Sequence, residues 1–119
     1  MRDFHQPTRS AARAMNAMVS TSQPSSTLAG IEMLKAGGNA LDAAIAAVAV
    51  QCVTEPGSTG IGGDCFCLYQ PAGADKPIAF NGSGRAPAKA DLGFFRENGI
   101  QAIDPTSAHA VTVPGAIDA

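Results

Sequence analysis

Apolar positions recur at helical spacing early in the chain and in short runs further along. Leu28, Ile31 and Leu34 lie three apart, the spacing of one helix face. Ser22-Gln23-Pro24 stands before them as an entrance, because proline suits the first helical position, where no N–H is needed. Gly37-Gly38 follows as the left-handed stop that residues with a Cβ resist. A short helix is predicted between these signals. A second begins at Asn39, a good N-cap, and Asp42 places negative charge where a helix N-terminus favours it. Leu41, Ala44, Ile45, Val48, Ala49 and Cys52 form one face of it, while Ala43, Ala46, Ala47 and Val50 make the opposite face apolar too. A helix apolar all round is expected to be covered on most sides, and its alanines let neighbouring backbones come close. Ala43, Ala46 and Val50 are the diagnostic positions. Covered, they mark a domain sufficient in itself; bare, they leave an apolar patch awaiting a partner segment.

Glu55-Pro56 ends that helix, and Gly57 to Asp64 reads as a glycine-rich turn. Cys65 to Gln70 reads as a strand, Pro71 to Asp75 as a turn, and Pro77 to Asn81 as a second strand completing a hairpin. Gly82-Ser83-Gly84-Arg85-Ala86-Pro87 breaks the second strand. Asp91 to Glu97 is predicted to be a short helix stopped by Gly99, and Ala110 to Gly115 a strand followed by a turn. Upstream, Asn16 to Ser22 is a candidate short strand. Residues 1–14 are a polar lead-in, and residues 15–119 form the body of the chain.

Composition narrows the function classes. The 119 residues are 45% apolar and 15% charged, with a formal charge of −2, which suits a folded core and lacks the basic cluster of a nucleic-acid surface or a membrane anchor. Aromatics are 5% with no tryptophan, so base-stacking platforms are not expected. Neither nucleic-acid nor membrane partners are therefore expected. The 13 glycines and 8 prolines fit tight turns and close backbone approaches rather than a helical bundle. Cys52, Cys65 and Cys67 make a poor disulfide framework and lack zinc spacing, and they read as reduced, buried thiols. No metal or cofactor is expected. The start of the chain has no apolar signal core, and a cytoplasmic location is expected.

Several local features bear on chemistry. The glycine-rich turn lacks the Gly-Lys-Ser/Thr ending of a phosphate loop, and its helix–glycine–strand order reverses the dinucleotide fingerprint. It reads as a turn in which Gly62 and Gly63 let backbone pass backbone. Asp64, directly after them, reads as an acceptor of backbone N–H bonds that fixes the turn, in preference to a catalytic acid. Ser58, Thr59 and Ser83 lie in loops without a nucleophile elbow, and His109, the one base candidate, reads as a surface or strand-edge residue. Arg85 has two readings. On a loop stiffened by Pro87 it suits bidentate capture of a carboxylate; equally, it suits a solvent-facing or structural role.

Three stretches carry a resemblance: Met18-Val19-Ser20-Thr21-Ser22-Gln23-Pro24, Ala36-Gly37-Gly38-Asn39-Ala40-Leu41-Asp42-Ala43-Ala44, and Glu55-Pro56-Gly57-Ser58-Thr59-Gly60-Ile61-Gly62-Gly63. With Arg85-Ala86-Pro87 and Val113-Pro114-Gly115 in the same order, they resemble the N-terminal part of the large subunit of the gamma-glutamyltransferase (gamma-glutamyltranspeptidase) family. The resemblance covers the chain from about Ala14. It implies an α+β segment forming an incomplete part of the αββα sandwich of an N-terminal-nucleophile hydrolase. In that family the precursor cuts itself, and the threonine freed at the start of the small subunit attacks a γ-glutamyl amide such as glutathione, with water or an acceptor amine completing the transfer. The implied partners are the remainder of the large subunit, the small subunit and a small amide substrate. The implied nucleophile lies outside these residues, so the chain alone is expected to be inactive.

Two departures refine this expectation. The family's glutamyl-binding arginine opens an Arg-Glu-x-Ala-Pro motif; aligning Ala86-Pro87 puts Ser83 at that place and Arg85 two positions later, on the same face of an extended chain but displaced by about 6–7 Å. In addition, Gly62-Gly63-Asp64-Cys65-Phe66 replaces a run of glycines. Both changes resemble the acylase-like and oxamate-amidohydrolase-like branch, so the expected activity widens to amide hydrolysis, with Arg85 and Ser83 as candidate substrate-binding residues. A non-catalytic interaction or scaffold domain is the alternative from another class; a nucleotide-binding module is a distant third.

Overall fold

The computed structural model describes residues 10–118. Most of the expected lead-in, residues 1–9, lies outside them. Residues up to Val50 and residues from Gln51 onward form two compact units, each described by itself.

In the first unit, α1 spans Pro24–Lys35. Proline occupies its first turn, where the missing N–H costs nothing, and Gly37 follows its C-cap with φ 96°, the left-handed stop its sequence suggested. The second helix, α2, spans Ala40–Thr54. Asn39 Oδ1 accepts from the N–H groups of Leu41 (2.7 Å) and Asp42 (3.0 Å), while Asp42 Oδ2 accepts from the Asn39 N–H at 2.8 Å. This reciprocal arrangement satisfies donors that a bare helix end would leave unpaired.

The helices meet through small residues. Ser26 is fully buried and donates its hydroxyl to the Ala47 carbonyl oxygen at 2.6 Å. A Cβ on Gly30 would come within 2.9 Å of Val19 Cγ1 and 3.2 Å of the Ala43 carbonyl oxygen. Glycine is what lets these backbones approach. The expected strand over Asn16–Ser22 does not form. Nothing among the described residues of this unit offers a second strand to pair with it, and Val19 instead packs its side chain onto Gly30.

Coverage of α2 differs by face, contrary to the expectation that it is enclosed on most sides. Ala43 and Ala47 are 4% and 3% exposed, and Ala46 and Val50 are half-buried, so the three diagnostic positions lie on the covered face and the apolar patch is on the other one. The face bearing Leu41, Ala44, Ile45, Val48 and Ala49 is open, with Ile45 61% exposed.

The second unit holds an antiparallel hairpin of β1, Cys65–Tyr69, and β2, Ile78–Gly82. Cys65 opposes Gly82, Cys67 opposes Phe80 and Tyr69 opposes Ile78. The second strand starts one residue later than expected, at the first residue after Pro77 able to donate to a ladder. Since side chains alternate, Cys65, Cys67, Tyr69, Ile78 and Phe80 share one face and Phe66, Leu68, Ala79 and Asn81 the other. Both faces are apolar apart from Asn81. Next comes α3, Leu92–Glu97, with the Asp91 carboxylate accepting from the Phe94 N–H at 2.8 Å and Gly99 turning at φ 67°.

The expected strand over Ala110–Gly115 is also absent. A single 3₁₀ turn, Ala108–Ala110, leads into extended backbone. There the N–H of Val113 donates to the Arg85 carbonyl at 2.9 Å, and those of Gly115 and Ala116 donate to the Gly63 carbonyl at 3.1 and 2.9 Å. Pro114 has no N–H, so the bonds divide between two acceptors and no ladder builds.

Candidate functional site

The loop after β2 is held by side-chain and backbone bonds from three segments. Asn81 Oδ1 accepts from the Ser83 N–H at 2.9 Å, bending the chain as it leaves the strand. Asp64 Oδ1 accepts from the Gly84 N–H and from the Thr112 hydroxyl, each at 3.0 Å. The Val113 N–H then reaches the Arg85 carbonyl. A Cβ on Gly84 would fall onto the Val113 carbonyl oxygen, and one on Gly115 would lie 2.7 Å from the Gly82 carbonyl oxygen. Two glycines thus let the segment before residue 116 lie directly on the loop, backbone against backbone.

An open hollow of about 530 Å³ lies over this junction, with Ser83, Arg85, Pro114 and Asp118 among its lining residues. Ser83 and Arg85 are exposed, and no carboxylate among the described residues forms an ion pair with Arg85. A guanidinium on a backbone-fixed loop, not neutralised by the chain itself, is suited to binding a planar anion through two parallel hydrogen bonds. Asp118 is the acidic side chain of the lining, so the hollow carries both signs of charge.

The structure brings Ser83, Arg85, Gly63 and Asp64 to one junction. Asp64 accepts a backbone N–H, but from Gly84, 20 residues away, in a bond that joins segments. Thr112 and Asp118 are not among the candidates that the sequence offers. No local pattern marks Thr112, whose role comes from a contact 48 residues distant. Gly115 is visible in the sequence as part of a strand–turn ending and of the Val113-Pro114-Gly115 resemblance, but its close approach to Gly82 is not.

His109 stands apart from this junction. Its ring packs edge-on to Phe94 and Phe95, with centroids 5.7 and 5.8 Å apart. Cys52, Cys65 and Cys67 are free and half-buried. Among the described residues no group of His, Cys, Asp and Glu is arranged to hold a metal ion, and no helix is long and apolar enough to cross a membrane.

The chain is similar to known proteins of one family. The family model described as gamma-glutamyltranspeptidase matches residues 26–119. The glutathione hydrolase proenzyme of Bacillus subtilis is 36% identical over 104 residues, covering 84% of this chain and 18% of that protein. The crystal structure of Helicobacter pylori gamma-glutamyltranspeptidase superposes with a TM-score of 0.77 at 27% identity, over 92% of this chain and 32% of that one. Cephalosporin acylase from Bacillus halodurans gives a TM-score of 0.74 at 40% identity, over 93% of this chain and 22% of that one. The chain therefore spans about a fifth of the length of the curated relative it matches. Matched over most of its residues by that family's model, and in fold by two solved relatives, the chain belongs to the gamma-glutamyltranspeptidase family.

Proposed function

We propose that these residues are the leading part of a self-processing amide hydrolase, and that their task is to bind the acyl donor. The observation that carries this reading is the exposed Arg85, with no ion-pair partner among the described residues, on a loop held by Asp64, Thr112 and Val113. The nucleophile is a threonine at the start of a downstream subunit. Its hydroxyl is a weak nucleophile until a base takes the proton, and the α-amine of the same residue is placed to do so. Backbone N–H groups of that subunit stabilise the tetrahedral oxyanion, and water or an amine releases the acyl group.

Within that scheme Arg85 holds the carboxylate of the donor, a γ-glutamyl group or another carboxylate-bearing acyl chain. Ser83, exposed two residues earlier, supplies a hydroxyl at the same hollow. Both faces of the β1–β2 hairpin are apolar apart from Asn81, which supports its place inside an αββα sandwich completed by the rest of the large subunit and by the small subunit. The three free thiols support a reducing, cytoplasmic setting.

A second reading, an acylase-like amidase without strict γ-glutamyl preference, is favoured by Asp64 and Ser83 standing where the family pattern has glycine and arginine. The 40% identity to cephalosporin acylase supports it further. Hydrolysis assays on the full-length protein test both. Cleavage of glutathione with a KM that rises about tenfold or more in Arg85→Ala supports the γ-glutamyl reading. Cleavage of other amides with glutathione untouched supports the second, and no amide cleavage at all contradicts both. The 119-residue chain alone is expected to show no turnover.

A further inference from the structure

Asp64 is bonded to two segments remote from its own turn. One carboxylate oxygen, Oδ1, accepts from Gly84 in the loop after β2 and from Thr112 in the segment before Pro114. Beside it the Gly63 carbonyl takes the N–H groups of Gly115 and Ala116. The turn before β1 is thereby tied to both other segments of the junction. Gly84 is the immediate neighbour of Arg85, so its N–H sets the path of the chain just before the guanidinium-bearing residue.

We propose that Asp64 is a positioning residue for Arg85, holding the loop so that the guanidinium meets the carboxylate of the acyl donor from one fixed direction. The inference rests on the reading above, in which Arg85 receives that carboxylate. An exposed arginine has many rotamers, and a mobile loop beneath it would add several ångströms of spread. Fork-to-fork pairing with a carboxylate requires a fixed base. An ionised acceptor holds a backbone N–H more firmly than a neutral one does. Asp64 forms no ion pair with Arg85, so it fixes the loop without neutralising the charge the substrate needs. Thr112 completes the anchor by donating to the same oxygen.

The experiment uses the full-length, self-processed protein and two probes, a γ-glutamyl anilide and the same anilide with its α-carboxylate converted to a carboxamide. Wild type is expected to prefer the carboxylate probe. In Asp64→Ala the KM for that probe rises about tenfold while kcat changes less, and the carboxamide probe is nearly unaffected. Asp64→Asn, which keeps the accepting oxygen, recovers most of the loss. Thr112→Val gives a smaller rise in KM that Thr112→Ser reverses, and this pair decides the matter if Asp64→Ala does not fold. With Arg85→Ala already present, Asp64→Ala adds little further loss of preference. If Arg85→Ala abolishes the preference while Asp64→Ala and Thr112→Val keep it, the positioning role is overturned and the binding role of Arg85 stands. If wild type shows no preference, or Arg85→Ala retains it, the underlying reading fails and this inference with it.

Discussion

Gly84 sits where the Val113 carbonyl leaves no room for a β-carbon, whereas a Cβ at Gly57 would meet nothing within 4 Å. The obstacle at Gly84 is backbone, which cannot rotate away. Gly84→Ala is therefore expected to cost about 3 kcal/mol or prevent folding, while Gly57→Ala stays within about 1 kcal/mol, as thermal melts of the two variants would show. Asp104 offers a residue-scale test by titration. The Thr106 hydroxyl, and after it the Thr106 backbone N–H, donate to its carboxylate at 2.7 and 2.8 Å and hold its pKa below that of an ordinary aspartate. A depressed carboxylate pKa stabilises the fold at neutral pH, and that contribution fades as the pH falls below about 4, through the lowered folded value. Thr106→Val is expected to move the Asp104 midpoint upward in an NMR titration; an unchanged midpoint would show that the hydroxyl is not its cause.

At the scale of elements, local signals were legible and remote ones were not. The Asn39 cap, the Pro24 entrance, the Gly37 stop and the Asp91 cap are written in neighbouring residues, because helix ends are satisfied by side chains within a few positions. Asn39→Ala is accordingly expected to cost about 1 kcal/mol, and Ser26→Ala, which removes a buried bond between the helices, about 1–2 kcal/mol, both measurable by denaturant unfolding. The hairpin was legible to within a residue. The strands expected at Asn16–Ser22 and Ala110–Gly115 failed because β-propensity does not make a strand without a partner for its backbone groups. Of the candidate site, Arg85, Ser83, Gly63 and Asp64 were each visible as residues. Their junction was not, since it depends on Thr112 and Gly115 arriving from more than 25 residues away along the chain.

For the whole molecule, apolar surface is the governing feature. The open face of α2 carries Leu41, Ile45 and Val48, and the hairpin presents Phe66 and Leu68, 69% and 78% exposed. Surfaces of this kind are matched to burial against other layers. Ile45→Asp is expected to lower the melting temperature of the full-length protein markedly, since a charge would then be buried without a partner. A negligible shift would contradict the placement of that face inside a sandwich.

The proposed function divides the labour: these residues bind the acyl donor, and a threonine elsewhere attacks it. Acid-quenched mass spectrometry of the full-length protein after incubation with a γ-glutamyl anilide tests this most directly. The predicted result is a glutamyl mass added to the threonine-started downstream subunit and none on residues 1–119. Acylation of Ser58, Thr59 or Ser83, or no adduct anywhere while the amide is hydrolysed, would contradict it.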